Sequence, residues 1–187
     1  MKKETKNISL SVIFILILTV VNNFADAPKP YGSFDTEGPV RSTAVVDSAN
    51  AYVGSDSGKV FALDRVKGNV KWRFDAESPV SSDLAVDNGH LYLSTKNGTV
   101  FAVDRTTGKA TWKFTTKAKT IYEGGWDYFV SSPVVVGDKI LVGSGDGCIY
   151  ALRKKNGKVA WKYNTGIMVR STPALDPDKK RFYIGTM

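Results

Sequence analysis

The sequence predicts an all-β chain that forms part of a β-propeller, built from four-stranded antiparallel blades. Three observations carry this. First, one phrase is written three times, at Ala62–Trp72, Ala102–Trp112 and Ala151–Trp161. Trp72 and Trp112 lie 40 residues apart, as do Gly58 and Gly98, Asp64 and Asp104, and Val40 and Val80. A fixed period of this size marks stacked supersecondary units, none of which buries its apolar face alone. Second, each unit holds short runs rich in β-branched and aromatic residues, bounded by Gly, Asn and Asp, which read as strands and turns. Third, no segment beyond the N-terminus sustains a 3.6-residue apolar period, so solenoids of helix pairs are excluded. Four strands per period near 40 match one propeller blade.

The elements follow in order. Lys2, Lys3 and Lys6 precede an apolar run from Leu10 to Val21, with the small residues Ala25 and Ala27 beyond it. The run is shorter than the roughly 20 residues that span a bilayer. Residues 1–25 therefore read as a secretory signal peptide, with an uncleaved anchor as the alternative. No cysteine is near for lipid attachment, so the mature chain is expected to be periplasmic or secreted and not membrane-spanning once the signal is cleaved. Residues 26–39 carry Tyr31–Phe34, spaced before Val40 as Trp72–Phe74 is before Val80. This predicts an outer strand of the final blade, the strand that zips the ring.

Residues 40–187 hold the repeats, with blades at 40–74, 80–114 and 130–163 and a partial one at 169–187. In the first blade, Ser42–Val46 leads through Asp47–Asn50 to Ala51–Ser55. Asp56–Gly58 then turns the chain into Lys59–Leu63, and Lys67–Asn69 leads into Val70–Phe74. Glycine recurs at the inner hairpin because its turn needs a positive φ. Asn97-Gly98 and Asp146-Gly147 are strong hairpin dipeptides for the same reason. The fourth unit opens at Val169-Arg-Ser-Thr, echoing Val40-Arg-Ser-Thr, and Met187 falls where its inner hairpin begins. About three and a half blades are present, fewer than the roughly 4–8 of a closed ring. The expectation is the N-terminal half of a larger propeller, or a half-ring that completes itself by self-association.

The formal charge is +8, from 26 basic and 18 acidic residues. The surplus is dispersed over the turns, at Lys67, Lys109, Lys154 and their neighbours, without the clustered stripe and stacking aromatics of a nucleic-acid binder, so no nucleic-acid partner is expected. The single cysteine, Cys148, excludes an internal disulfide and reads as a small buried hydrophobe or a reactive thiol.

Ala-x-Asp-x-x-Thr-Gly-Lys-x-x-Trp, with a Ser-Ser/Thr-Pro strand and an aliphatic-Gly-Ser strand, resembles the pyrroloquinoline quinone (PQQ)-like β-propeller repeat. The likeness covers nearly everything from Phe34 to Met187. Ala102, Asp104, Thr107, Gly108, Lys109 and Trp112 match in full, whereas the third copy has Arg153 and Asn156 at the Asp and Thr positions. The resemblance implies that Trp72, Trp112 and Trp161 dock on neighbouring blades over the peptides around Gly68, Gly108 and Gly157. An indole suits such a staple, because it buries a large apolar area and keeps one N–H for a backbone partner.

Quinoprotein dehydrogenases with this repeat hold PQQ above a calcium ion in the central funnel, commonly with a disulfide of adjacent cysteines. One cysteine cannot make that clamp, and no acidic cluster has calcium-ligand spacing. The acidic residues Asp56, Asp64, Asp87, Asp104 and Asp138 fall in turns, where Asp bonds its own backbone. No cofactor or metal is expected from the visible blades. Other relatives resemble the scaffold of the outer-membrane barrel assembly machinery, or extracellular sensor domains of kinases. The preferred expectation is a binding scaffold for a protein or polysaccharide, without catalysis of its own. The alternative is a PQQ- and calcium-dependent alcohol or sugar dehydrogenase whose catalytic blades lie beyond this chain.

One irregularity stands out. Phe74 to Val80 and Tyr163 to Val169 are each six residues, but Phe114 to Val130 is sixteen. The extra residues carry Tyr122, Glu123, Trp126, Asp127, Tyr128 and Phe129. Insertions between repeats commonly build a binding face, and aromatics beside carboxylates suit sugar rings or peptide anchors. Packing alone, as a plug of the inter-blade groove, is the other reading. His90 is the sole histidine and is expected in a solvated turn, which leaves no triad and no two-histidine metal site. Ser42, Ser81, Ser131 and Ser171 recur at blade starts and read as architecture. Gly143–Gly147 leads into a strand, so it is no helix-capped phosphate loop.

Overall fold

The computed structural model describes residues 13–15, 32–117, 130–176 and 180–186. All regular structure among them is β. Strands β1 (Ile13–Ile15) and β2 (Ser33–Asp35) pair antiparallel. The first blade comprises β3 (Val45–Val46), β4 (Asn50–Gly54), β5 (Lys59–Asp64) and β6 (Val70–Asp75). The second comprises β7 (Ala85–Val86), β8 (His90–Ser94), β9 (Thr99–Asp104) and β10 (Ala110–Thr115). The third comprises β11 (Val134–Val136), β12 (Lys139–Gly143), β13 (Cys148–Arg153) and β14 (Val159–Asn164). Strands β15 (Ala174–Asp176) and β16 (Arg181–Tyr183) form a two-stranded sheet. Each four-stranded sheet is a meander in chain order, so the fold is an incomplete propeller.

The two central strands of each blade are buried on both faces, which is why they read as near-continuous apolar runs. Their tight turns hold Gly58, Gly98 and Gly147 at φ of +83°, +80° and +80°. The core lies between the sheets. Tyr52, Val60 and Ala62 of the first blade pack on Leu91, Leu93, Phe101 and Val103 of the second. Tyr92, Val100 and Ala102 pack likewise on Ile140, Val142 and Leu152 of the third. On the opposite face of the first blade, Ala51, Val53, Phe61 and Leu63 pack with Phe34, Val40 and Val70.

The outer strand pair shifts register in every complete blade, so that Ala62 faces Trp72 while Leu63 faces Val70. The same shift occurs at Trp112 and Trp161. Such a bulge reverses the alternation of side chains across a sheet. Val70 therefore packs on one face and Trp72 on the other, although they are two residues apart.

His90 is not a solvated turn residue. It opens β8, half-buried, with its ring stacked on Tyr92 at 6.1 Å. Its backbone pairs with Asp104, and that register draws the ring inward. The serine series also shifts. Ser82, not Ser81, takes the place of Ser42, since its Oγ bonds Ser94 as Ser42 bonds Gly54. Ser81 instead donates to the Asp56 carboxylate.

Candidate functional site

The joint between blades is built twice from equivalent residues. Trp72 lies with its ring 5.8 Å from Tyr52 of its own blade, and its indole N–H donates to the Arg105 carbonyl of the next at 2.9 Å. A Cβ on Gly108 would meet that indole at 2.7 Å, so only glycine admits it. At the next joint Trp112 lies 6.0 Å from Tyr92, donates to the Lys154 carbonyl at 2.8 Å, and would meet a Cβ on Gly157 at 2.5 Å. Both glycines have positive φ, +70° and +68°. Trp161 is 37% exposed and stacks on Phe182 at 6.1 Å. Gly68, with φ +72°, has no atom of the described residues within 4 Å of where its Cβ would stand.

The residues whose carbonyls take the indoles also carry charge across the same joints. Arg105 reaches the Asp47 carboxylate at 3.3 Å, and Lys154 pairs with Asp87. Burial pushes the Asp47 carboxyl up, but hydrogen bonds from Ala49 N, Tyr52 Oη and Asn50 N, with the Arg105 charge, hold it below the usual carboxylate range. The Lys154 hydrogen bond holds Asp87 low as well. Tyr92 lacks the partner that Tyr52 finds in Asp47. Its buried hydroxyl finds no hydrogen-bond partner among the described residues, and burial beside Asp87 pushes its pKa up to about 12.

A second belt links the blade starts. Thr43 N donates to Asp83 Oδ1 at 2.6 Å, Asp83 N to Ser132 Oγ at 2.9 Å, and Ser132 N to Thr172 Oγ1 at 3.2 Å. One repeat position thus hands a backbone N–H to the side chain of its successor. Sequence spacing missed this belt because Thr, Asp, Ser and Thr share only an acceptor oxygen, not an identity. The belt also sets the length of the insertion. Thr43 to Asp83 is 40 residues and Asp83 to Ser132 is 49, so nine residues are added between the second and third blades.

The connectors between blades share a turn. Glu37 N, Glu77 N and Gly166 N donate to the Asp35, Asp75 and Asn164 side-chain oxygens at 2.8, 2.8 and 2.9 Å. All three residues have positive φ. The fourth connector breaks the pattern. Thr115 stands in the Asx place, and Lys117 N donates instead to Asp146 Oδ2 at 3.1 Å. Asp146 also accepts from Tyr150 Oη at 2.6 Å and from Cys148 N at 3.1 Å. Burial raises its pKa, yet these bonds win and hold it low, while burial and the Asp146 charge push Tyr150 up. Tyr122, Glu123, Trp126, Asp127, Tyr128 and Phe129 lie outside the described residues.

Calcium takes about 6–8 oxygen ligands. Among the described residues no group of three or more His, Cys, Asp or Glu is placed to hold a metal ion. Asp47, Asp87, Asp104 and Asp146 are engaged by backbone, tyrosine, lysine or arginine partners, so this donor set does not fit a quinone-supporting calcium. Cys148 is buried and unpaired. No helix among the described residues is long and apolar enough to cross a membrane.

A model of PQQ-like repeats, described as outer membrane protein assembly factor BamB, matches residues 25–179. No curated protein sequence matches the chain. Among solved structures, BamB from Moraxella catarrhalis is 21% identical with a TM-score of 0.68, covering 80% of this chain and 48% of that one. The quinohemoprotein alcohol dehydrogenase from Comamonas testosteroni is 20% identical with a TM-score of 0.63, covering 80% and 29%. The computationally designed Ika4 protein is 14% identical with a TM-score of 0.62, covering 81% and 92%. At these identities the structural likeness shows the fold. The chain spans about half the length of the BamB structure and under a third of the dehydrogenase.

Proposed function

The chain belongs to the PQQ-like repeat family described as outer membrane protein assembly factor BamB, and from that premise we propose an extracytoplasmic scaffold that binds a protein partner and performs no reaction of its own. Residues 1–25 serve as its export signal. One observation carries the reading. Two of the three connectors between complete or partial blades that follow a Trp strand keep a short turn or its equivalent, and only the one after β10 is lengthened, with its base tied by Lys117 N to Asp146. A rigid ring that presents one long aromatic loop is suited to holding a partner.

Within the loop we assign Tyr122, Glu123, Trp126, Asp127 and Tyr128 to the partner. Phe129 shares the repeat position of Val80 and Val169, which are 0% and 1% exposed, so we assign it to packing at the seam. Trp72, Trp112 and Trp161, with Gly68, Gly108 and Gly157, belong to the framework and not to the binding face.

The test replaces residues 115–128 with the five residues Asp75–Pro79, which restores the short connector. Cross-linking in intact cells, read by mass spectrometry, is expected to join Lys113, exposed just before the replaced segment and kept in both chains, to one protein. The exchanged chain is expected to lose that link while its unfolding midpoint stays within a few degrees. An unchanged cross-link pattern would overturn the assignment. Reduction of a dye by an alcohol, dependent on added quinone and calcium, would favour the dehydrogenase instead.

A further inference from the structure

The turn that joins the third and fourth strands of a blade is built three times, and its third copy lacks an acceptor that the first two carry. In each copy the glycine N–H bonds the carbonyl four residues back, Gly68 to Asp64 at 2.8 Å, Gly108 to Asp104 at 2.9 Å and Gly157 to Arg153 at 2.9 Å. The N–H of the first turn residue bonds the carbonyl five residues on at 2.8 Å in all three. The glycines share φ of +72°, +70° and +68°. The backbone is therefore one loop repeated, and the side chain at its first position differs. Asp64 Oδ1 accepts from Val66 N at 2.9 Å and Lys67 N at 2.8 Å. Asp104 Oδ1 accepts from Thr106 N at 3.0 Å and Thr107 N at 2.7 Å. Bonds led by those from Lys67 N and Thr107 N hold the two carboxyls below the usual carboxylate range.

Arg153 stands in that place in the third blade and has no side-chain oxygen to offer. Asn156 N falls back on the Arg153 carbonyl at 3.3 Å, and Lys155 N has no partner among the described residues. Two donors that converge on one carboxylate oxygen in the other blades are thus left without it, and the charge around them is reversed. Arg153, Lys155 and Lys158 are exposed and enter no ion pair among the described residues, whereas Lys154 is engaged by Asp87. Asp138, whose carboxylate feels the Arg153 charge, is held by Lys139. Flanking blades do not cover such a tip. The second blade has the first and third on either side, and its Thr106, Thr107 and Lys109 remain exposed.

We propose that the turn from Arg153 to Lys158 docks an acidic segment of another protein, one of whose carboxylates supplies in trans the oxygen that Asp64 and Asp104 supply within the chain. One oxygen of that carboxylate accepts from Lys155 N and Asn156 N, and Arg153, Lys155 and Lys158 neutralise the rest of the segment. Asp64 sets the pattern, since its Oδ1 takes two N–H groups while its Oδ2 meets Lys71 Nζ at 3.2 Å. A planar group with two oxygens fits that division, which favours a side-chain carboxylate over a membrane phosphate. The turn lies at the end of the β13–β14 pair opposite Asp146 and the base of the long connector. It is a second surface, and its test does not depend on the partner assigned to that loop.

The probe is acetylated Gly-Asp-Gly-Asp-Gly amide, titrated into the 15N-labelled full chain, with the peptide that carries Asn in place of Asp as its control. Saturable shifts are expected at the Lys155 and Asn156 amides, several-fold weaker with the control. Two variants matched in charge separate the donors from the general field. Arg153→Asn places an oxygen where Asp64 and Asp104 have theirs, whereas Arg153→Ala removes the same charge and leaves the donors open. The shifts are expected to be lost in Arg153→Asn and to persist, several-fold weaker, in Arg153→Ala. Arg153→Asn is also expected to melt about 2–4 °C above Arg153→Ala, because it caps the turn from within. Four results would each overturn the proposal: no saturable shift at the two amides, equal binding of the two peptides, equal peptide binding by the two variants, or equal midpoints. Phosphatidylglycerol vesicles that bind the chain more tightly than the peptide does, and equally well after Arg153→Asn, would assign the face to a membrane and overturn it too.

Discussion

Replacing Gly108 by alanine removes no contact, and yet the joint between the first two blades predicts a large loss. The new Cβ would stand 2.7 Å from Trp72 Cδ2, 2.8 Å from Cγ and 2.9 Å from Cε3. These are atoms of a rigid ring held from behind by Tyr52 at 5.8 Å, so the indole cannot yield by a simple rotation. Three costs follow. Alanine at φ +70° is strained by about 1 kcal/mol. Forcing the indole from its seat adds about 1–3 kcal/mol of overpacking. The bond from Trp72 Nε1 to the Arg105 carbonyl, 2.9 Å in the native chain, is worth about 1 kcal/mol. The expected loss is about 3–5 kcal/mol, measured from urea-unfolding midpoints at constant slope. Gly68→Ala shares the strain but meets nothing among the described residues within 4 Å, and should cost about 1 kcal/mol. The decisive control is a cycle with Trp72→Ala, in which Gly108→Ala should fall to the strain alone. Equal losses at Gly108 and Gly68, or no coupling to Trp72, would refute the reasoning.

Other outcomes follow from the same geometry. Trp112→Ala should cost about 3–5 kcal/mol by chemical denaturation, and Trp161→Ala markedly less, because Trp161 is 37% exposed where it stacks on Phe182. Glu77 holds φ +59° with an exposed side chain, so Glu77→Gly relieves about 1–2 kcal/mol of left-handed strain against about 0.5–1 kcal/mol of added chain entropy. A small rise in thermal midpoint is expected, and a fall would contradict it. The carboxyls of Asp47, Asp87 and Asp146 are held low in the folded chain. Their contribution is present above the unfolded value near pH 4 and is lost as pH falls through the folded values, so unfolding midpoints should drop below about pH 4. Tyr92 runs the other way. Its folded pKa of about 12 lies above the unfolded value near 10, so its contribution is complete below pH 10 and is lost as pH rises toward 12. Tyr92→Phe should flatten that alkaline limb of the stability curve.

The repeat phrase, the hairpin glycines and the alternation of strand residues determined by themselves that the chain is all-β and blade-like. Each is a local demand. Gly58 turns at φ +83° wherever its blade sits, and Val60–Leu63 is apolar because it is covered on both faces. The insertion was visible in the same way, as a break in spacing after Phe114, and so was the family of the repeat. The tertiary structure decided which face each residue serves. Spacing puts Val70 and Trp72 on one side, and the bulge between them divides them between two cores. It moved His90 from a turn onto Tyr92, and the equivalent serine from Ser81 to Ser82, because the register of β8 fixes both. It revealed the belt through Thr43, Asp83, Ser132 and Thr172, since a hydrogen bond needs an oxygen in the right place and not a particular residue type. Periodicity reports what one blade needs, whereas contacts between blades depend on residues whose separation no local rule encodes.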